Sequence, residues 1–592
     1  MDHAGAAPSR SPFAGWLAAC AVLLVLALVG WRFFLPATPR VVDIPPPPDP
    51  RLSYDGPFRN IHPEVRYAGS AACADCHPKH AEGFAQHPMG RSLFPMSEAL
   101  ASQPPSKGVS FGALGRRFWV THEGGKVFHH TGVFDGDKPV FDHALEARWA
   151  VGSGTHGYSY LTETDGFVLQ TGISYFTLKD LWSLSPGFGE AIADGRPVPA
   201  GCLQCHADGL APLPGYRDRF EPRVFTGHAI GCERCHGPGE KHVAERTRGD
   251  PVEEKHDTAT VNPRRLPPAL RDGVCMQCHL QGKGRVLREG RELFDYRPGL
   301  PYERFFNVFI ELDAGQVGKT VGHFEEMRLS RCAERSEGRL GCISCHDPHY
   351  KPGPAERVAF FRARCLKCHQ EKGCSEPVAE RTRKAPGDSC IQCHMVPREA
   401  KDVVHAALTD HRIPRRPGMP APPAGPPAEF PYRSYFADPA KPDDPATTRD
   451  LVIALADKAE TMAQHAPQMG PMLARARDLL DAALPAGSTD QPAWHALGLL
   501  RRLTGETDAA HRAYERAIAL WPTDDRSLWG LGLLHEGQRR PKEAVEAYLR
   551  LAKAYPARAL IRGRLSMLLA ELGRHEEALE HALALKRLSP AR

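Results

Sequence analysis

The pattern C-x-x-C-H occurs seven times in this chain, and it uses 14 of the 17 cysteines. The thiols are Cys73 and Cys76, Cys202 and Cys205, Cys232 and Cys235, Cys275 and Cys278, Cys342 and Cys345, Cys365 and Cys368, and Cys390 and Cys393. The histidines that follow them are His77, His206, His236, His279, His346, His369 and His394. Two thiols separated by two residues can each add to one vinyl group of a haem. The next residue then lies under the iron, where its imidazole is the proximal ligand. The pattern therefore predicts seven covalent c-type haems. Zinc is the competing chemistry, because two C-x-x-C pairs make a four-sulfur site. Zinc does not call for a histidine after every second cysteine, and an odd number of pairs cannot all be matched. Three cysteines stand outside the motifs. Cys332 and Cys374 read either as a disulfide or as two free thiols, and Cys20, inside an apolar run, as inert.

The elements that must position these residues follow from composition. The chain has 592 residues, enough for about three folded units, and its 55 prolines and 54 glycines predict long loops and linkers. A net charge of +5 is too mild to argue for nucleic acid. Phe13 to Trp31 is 19 residues without a charge, long enough as a helix to cross a hydrocarbon core. Residues 1–12 then read as a cytoplasmic N-terminus and 13–35 as a transmembrane signal-anchor. A cleaved signal peptide is the rival, although Trp31, Arg32, Phe33 and Phe34 make no small-residue cleavage site. Because bacteria attach c-type haem outside the cytoplasm, the expected topology is a single pass through the inner membrane, with everything after it in the periplasm.

Residues 36–66 form a proline-rich tether, expected to be stiff. Residues 67–412 hold all seven motifs. Within them about 108–188 reads as strands, from the β-branched and aromatic runs RRFWVTH, KVFHHTGVF and GFVLQTGISYF. A second proline-rich linker spans 413–448. Residues 449–592 are a repeat: Trp494, Leu497, Gly498, Ala510, Tyr514, Ala517 and Pro522 recur 34 residues later as Leu528, Leu531, Gly532, Ala544, Tyr548, Leu551 and Pro556. A third, weaker copy runs to Pro590, and a degenerate helical unit precedes the first. This period and residue order resemble the tetratricopeptide repeat. A groove docking a partner peptide and a plain helical spacer are both open readings, and the repeats are expected to be dispensable for haem attachment. The fold class is mixed: an N-terminal transmembrane helix, a loop-rich multihaem cytochrome c domain with a strand-rich insert, and a C-terminal all-α tetratricopeptide solenoid.

The stretches CERCHGPGEKH, CISCHDPH and CIQCHM, with a later H-x5-H at His405 and His411, resemble the multihaem cytochrome c superfamily. That group includes tetrahaem electron carriers of nitrifying bacteria and hydroxylamine-oxidising and nitrite-reducing enzymes. CADCHPKHAEGFAQHPMG and VGSGTHGYSYL are similar to its membrane-anchored branch with C-terminal tetratricopeptide repeats. The resemblance implies His87, His242, His349, His405 and His411 as distal ligands, with His323 as a sixth. For the remaining position His228, His156, His80 and an empty site are all open. His242 also follows a G-P-G turn that swings it toward a neighbouring iron.

Two functions fit. Haems with two histidine ligands block substrate access and suit an electron carrier between donor and acceptor proteins. An oxidoreductase acting on a small nitrogen or sulfur oxyanion would need one open haem with polar residues over it. Some nitrite-reducing relatives use C-x-x-C-K at the active haem, and that motif is absent here.

Overall fold

The computed structural model describes residues 43–99, 106, 108–136, 138–189, 195–252, 256–311, 322–370, 373–399, 407–416, 429–438, 440, 441, 444–462 and 469–588. The expected fold class is corrected on one count. Among the described residues no helix is long and apolar enough to cross a membrane. The run read as an anchor, 13–35, lies outside the described residues, as do Cys20 and His405. What the structure supports is a cysteine-rich, loop-rich region, a strand-rich segment and a helical C-terminal part.

The strand-rich segment is two antiparallel sheets. Ser110–Ala113, Arg116–Glu123, Lys126–Asp135 and Lys138–Ala147 form a four-stranded meander. Two-residue turns join its first three strands, at Leu114–Gly115 and Gly124–Gly125. Both residues of each turn have positive φ, the conformation that matches the natural strand twist. A second sheet is built on Trp149–Val151, Gly157–Thr164, Phe167–Gln170 and Ile173–Phe176. Alternation along the strands sends Phe118, Val120, Tyr158, Tyr160 and Ile173 into a shared apolar core. The opposite face of the second sheet buries polar groups instead: Gln170, Ser174 and Ser185 are each at most 5% exposed.

The motifs sit on short helices and turns. Cys342–Cys345 and Cys390–His394 are helices of a single turn or little more, whereas Pro268–His279 and Arg357–His369 end longer helices in a motif. Such short helices cannot hold themselves, so the chain around them must supply rigidity. Arg297 does this near the first motif, donating to the carbonyls of Asn60, Pro63 and Val65 at 2.9–3.0 Å.

The C-terminal part is a stack of antiparallel helix pairs: Gln491–Leu503 with Thr507–Leu520, Asp525–Gly537 with Pro541–Ala554, and Ala559–Glu571 with His575–Leu588. The repeat residues make this packing possible. Tyr514 lies between Gly498 and Gly530, where an added Cβ would come within 2.7 and 2.5 Å of its ring. Asp490 and Asp524 cap their helices by accepting from the backbone N–H groups of Ala493 and Ser527.

This stack is joined to the cysteine-rich region. The segment 413–448 contains the strand Tyr432–Ser434, which pairs with Phe306–Glu311, itself paired with Gly284–Leu287. The helix Pro445–Thr461 packs its Val452, Leu455 and Ala459 against that sheet's Val286 and Phe309. Buried Arg449 grips Asp490 in two-point fashion (2.7 and 2.8 Å) and also donates to the Leu287 carbonyl at 2.7 Å. Farther along, the loop before strand Phe220–Gly227 docks on the two ends of the second repeat. There Arg217 pairs with Asp524 and Asp525, and its backbone N–H donates to the Tyr555 hydroxyl.

Candidate functional site

The first four motifs line one cavity of about 1430 Å³, together with His80, His156, His242, His323 and His349. Ordinary small-molecule sites are ~300–1,000 Å³, so this space exceeds the needs of one small ligand. Thiols of different motifs meet around it and beyond it. Cys73 lies beside Cys232, Cys205 beside Cys278, Cys275 beside Cys342, and Cys365 beside Cys390. Cys235 stands within electrostatic reach of Cys275, and Cys345 of Cys365. Each free thiol stands for the sulfur a thioether would carry. The first motif thus adjoins the third, the third the fourth, the fourth the second and fifth, the fifth the sixth, and the sixth the seventh.

The histidines form facing pairs. His77 and His242 stack with centroids 6.3 Å apart, His236 and His349 at 6.0 Å, and His346 and His411 at 6.2 Å, with planes within 24° in each pair. Two imidazoles that share a metal at ~2 Å bonds through Nε2 have centroids roughly 6 Å apart. His279 and His323 are closer, at 5.3 Å and nearly perpendicular, and His411 also lies 4.7 Å from His323. His80 sits 4.8 Å from His349.

Four of the candidate rings have Nδ1 bonded to an oxygen acceptor. His236 hydrogen-bonds the Val261 carbonyl (2.7 Å), His394 that of Pro414 (2.9 Å), His411 that of Thr409 (2.9 Å), and His242 the Asp257 carboxylate (2.8 Å). A proton fixed on Nδ1 leaves the Nε2 lone pair for a metal. Burial pushes His87 and His346 down to about 4 and His323 to about 3, and it also lowers His206, His236, His279, His349 and His411. They are therefore neutral at neutral pH, the form that ligates. Among the described residues the buried Nδ1 atoms of His279 and His323 have no hydrogen-bond partner. Paired sulfurs, neutral rings and iron-sized gaps together fit covalent haem.

Three candidates do not fall into pairs. His87 accepts a hydrogen bond at Nδ1 from the Met89 N–H (3.2 Å). His228 packs edge-on against Trp149 rather than against a histidine, and His156 lines the cavity beside the second sheet. Among the described residues no histidine ring faces His206, His369 or His394. Beside the second motif the cavity wall carries Arg196, Gln170, Ser159 and Ser174 instead. They are linked: Arg196 donates to Gln170 (2.6 Å), Gln170 to Ser159 (3.2 Å), and Ser159 bonds with Ser174 (2.8 Å). Cys332 and Cys374 are both free, and Cys332 stands near Cys345 and Cys368 rather than near Cys374.

Sequence reasoning missed Asp257, the carbonyls of Val261, Thr409 and Pro414, and the Arg196–Gln170–Ser159 wall. Backbone acceptors leave no residue signal. Asp257 is one acid among 70 acidic residues and nothing in its spacing marks it.

Comparison with known proteins points the same way. Residues 192–237, which hold the second and third motifs, match the family model described as cytochrome c554 and c-prime. Residues 495–559 and 535–592 match the tetratricopeptide repeat model. Together these support a c-type cytochrome that ends in tetratricopeptide repeats. The cytochrome match implies covalently bound c-type haem, and the repeats imply protein partners. Cytochrome c-554 of Nitrosomonas europaea is 28% identical over 155 residues, which cover 25% of this chain and 58% of that protein. The chain thus spans little more than half the length of that relative. Among solved structures, a MamA protein is 20% identical over 26% of this chain and 76% of its own, with a TM-score of 0.22. MamA 41-end from Desulfovibrio magneticus RS-1 is 21% identical over 25% and 78%, with a TM-score of 0.21. Scores this low carry no argument about the fold of the cytochrome.

Proposed function

We propose that this cytochrome is an electron carrier located outside the cytoplasm, in the periplasm, with seven haems held mostly between two histidines. The observation that carries the reading is the unbroken adjacency of the seven motifs. When bound, haem supplies one-electron oxidation and reduction at iron. This chain's residues do the rest. The paired cysteines would fix the position of each group, and His77, His206, His236, His279, His346, His369 and His394 would hold one face. His242, His349, His411 and His323 would close the other face of four of them, with His405 a candidate for a fifth, whereas His87 would first have to release the Met89 N–H from its Nδ1. The hydrogen bonds at Nδ1 orient the rings, and the apolar cavity wall limits water. Donor and acceptor proteins are the partners in this reading, docked in part by the repeats. A haem-to-chain ratio of seven in the purified protein is the expected result, and a ratio well below seven would remove the reading.

A second reading has one observation in its favour. His206 lacks a facing histidine among the described residues while the linked Arg196, Gln170, Ser159 and Ser174 line the same part of the cavity. Such a site could admit a small nitrogen or sulfur oxyanion, with Arg196 as its counter-charge. Electron paramagnetic resonance of the oxidised protein with and without nitrite separates the two: a high-spin haem that shifts with nitrite favours the oxidoreductase, and uniformly low-spin haems the carrier.

A further inference from the structure

The four rings whose Nδ1 bonds an oxygen acceptor are not equivalent. His236, His394 and His411 each bond a neutral backbone carbonyl. His242 alone among these four bonds a carboxylate, Asp257 Oδ2 at 2.8 Å. That carboxylate is held in place: its Oδ1 accepts from the Ala259 N–H at 2.8 Å, and Arg246 Nε stands 3.6 Å from Oδ2. Arg246 is too far for a hydrogen bond by distance, so the carboxylate keeps its bond to the imidazole. Asp257 and His242 are 19% and 26% exposed, partly shielded from solvent screening.

A carboxylate behind a ligating imidazole pulls the Nδ1 proton toward itself, makes Nε2 a stronger donor and adds a negative charge near the metal. Both effects favour the more positive oxidation state and lower the reduction potential. A carbonyl supplies the orientation without the charge. We infer that Asp257 is a positioning residue that makes the haem between His77 and His242 lower in potential than the haems whose histidines are backed by carbonyls. The inference rests on the ligation described under the proposed function. It gives the row of motifs a direction, with the first motif, next to the third, as the strongly reducing end.

The test is a redox titration of the intact haem-loaded protein, followed by optical and electron paramagnetic resonance signals, for wild type, Asp257→Asn, Asp257→Glu and His242→Ala. In Asp257→Asn the lowest midpoint should rise while the others hold and the low-spin count stays unchanged, and Asp257→Glu should restore much of the wild-type value. If no midpoint moves in Asp257→Asn while His242→Ala creates one new high-spin haem, the inference is overturned and the ligation stands. If His242→Ala leaves the spin count unchanged, the ligation itself fails and the inference falls with it.

Discussion

Arg217 donates to Asp524 at 2.9 Å across the seam between the cysteine-rich region and the repeats, and the Asp524 side chain is fully buried there. The same carboxylate caps helix Asp525–Gly537 through Ser527 N–H. One residue therefore starts a repeat and fastens it to the haem-binding part.

Removing the arginine leaves Asp524 buried without its main counter-charge. Arg217→Ala should destabilise the protein by about 3–5 kcal/mol, the usual cost of breaking a buried pair from one side. Thermal unfolding followed by far-ultraviolet circular dichroism measures this. A change below about 1 kcal/mol would show that the seam is solvated.

The seam should also be acid-labile. Burial opposes ionisation of Asp524, but Arg217 and His495 outweigh it and hold the carboxyl at about 2, well below the usual carboxylate range. A depressed carboxylate stabilises the fold above its unfolded pKa, and this is lost as pH falls through the folded value. The loss should fall between about pH 4 and pH 2. Equilibrium denaturation across that range should show a steeper fall in wild type than in Asp524→Asn.

His349 faces His236 at 6.0 Å with nearly parallel planes. His349→Ala should turn one low-spin haem high-spin in the oxidised protein, and added imidazole should reverse it. An unchanged electron paramagnetic resonance spectrum would mean that another group, such as neighbouring His80, closes that face.

Gly530 has no room for a side chain, since a Cβ would come within 2.5 Å of the Tyr514 ring. Gly530→Ala should destabilise the repeats by about 1–3 kcal/mol through overpacking, despite alanine's better helix propensity. The double variant Gly530→Ala, Tyr514→Phe keeps the ring and should regain little. Full recovery there would place the clash at the hydroxyl alone.

The sequence showed what depends on local spacing. The motifs need two intervening residues and a following histidine, and the repeats need a fixed period, so both are visible along the chain. Gly498 and Tyr514 stood out for the same reason. Contacts between distant segments were hidden. Nothing around Arg217 marks it as a partner of Asp524, and the carbonyls behind His236 and His411 belong to the backbone. The membrane helix was inferred from hydropathy alone, and no described helix supplies it. The proline-rich stretch 413–448 read as a separator because composition reports stiffness and not pairing. Three of its residues, Tyr432 to Ser434, nevertheless complete a sheet.

That strand has a consequence for the order of folding. Ile310 pairs with Arg433, so the third strand of this sheet is synthesised only after all seven motifs have emerged. Until then the edge Phe306–Glu311, with the fully buried Phe309, lacks its partner. Long-range pairing of this kind is slow to form, and an open apolar edge invites other chains. A nascent chain stalled before Tyr432 would thus carry every cysteine of the motifs together with an unguarded strand. Completion of the C-terminal half serves the cysteine-rich half as its final protective step.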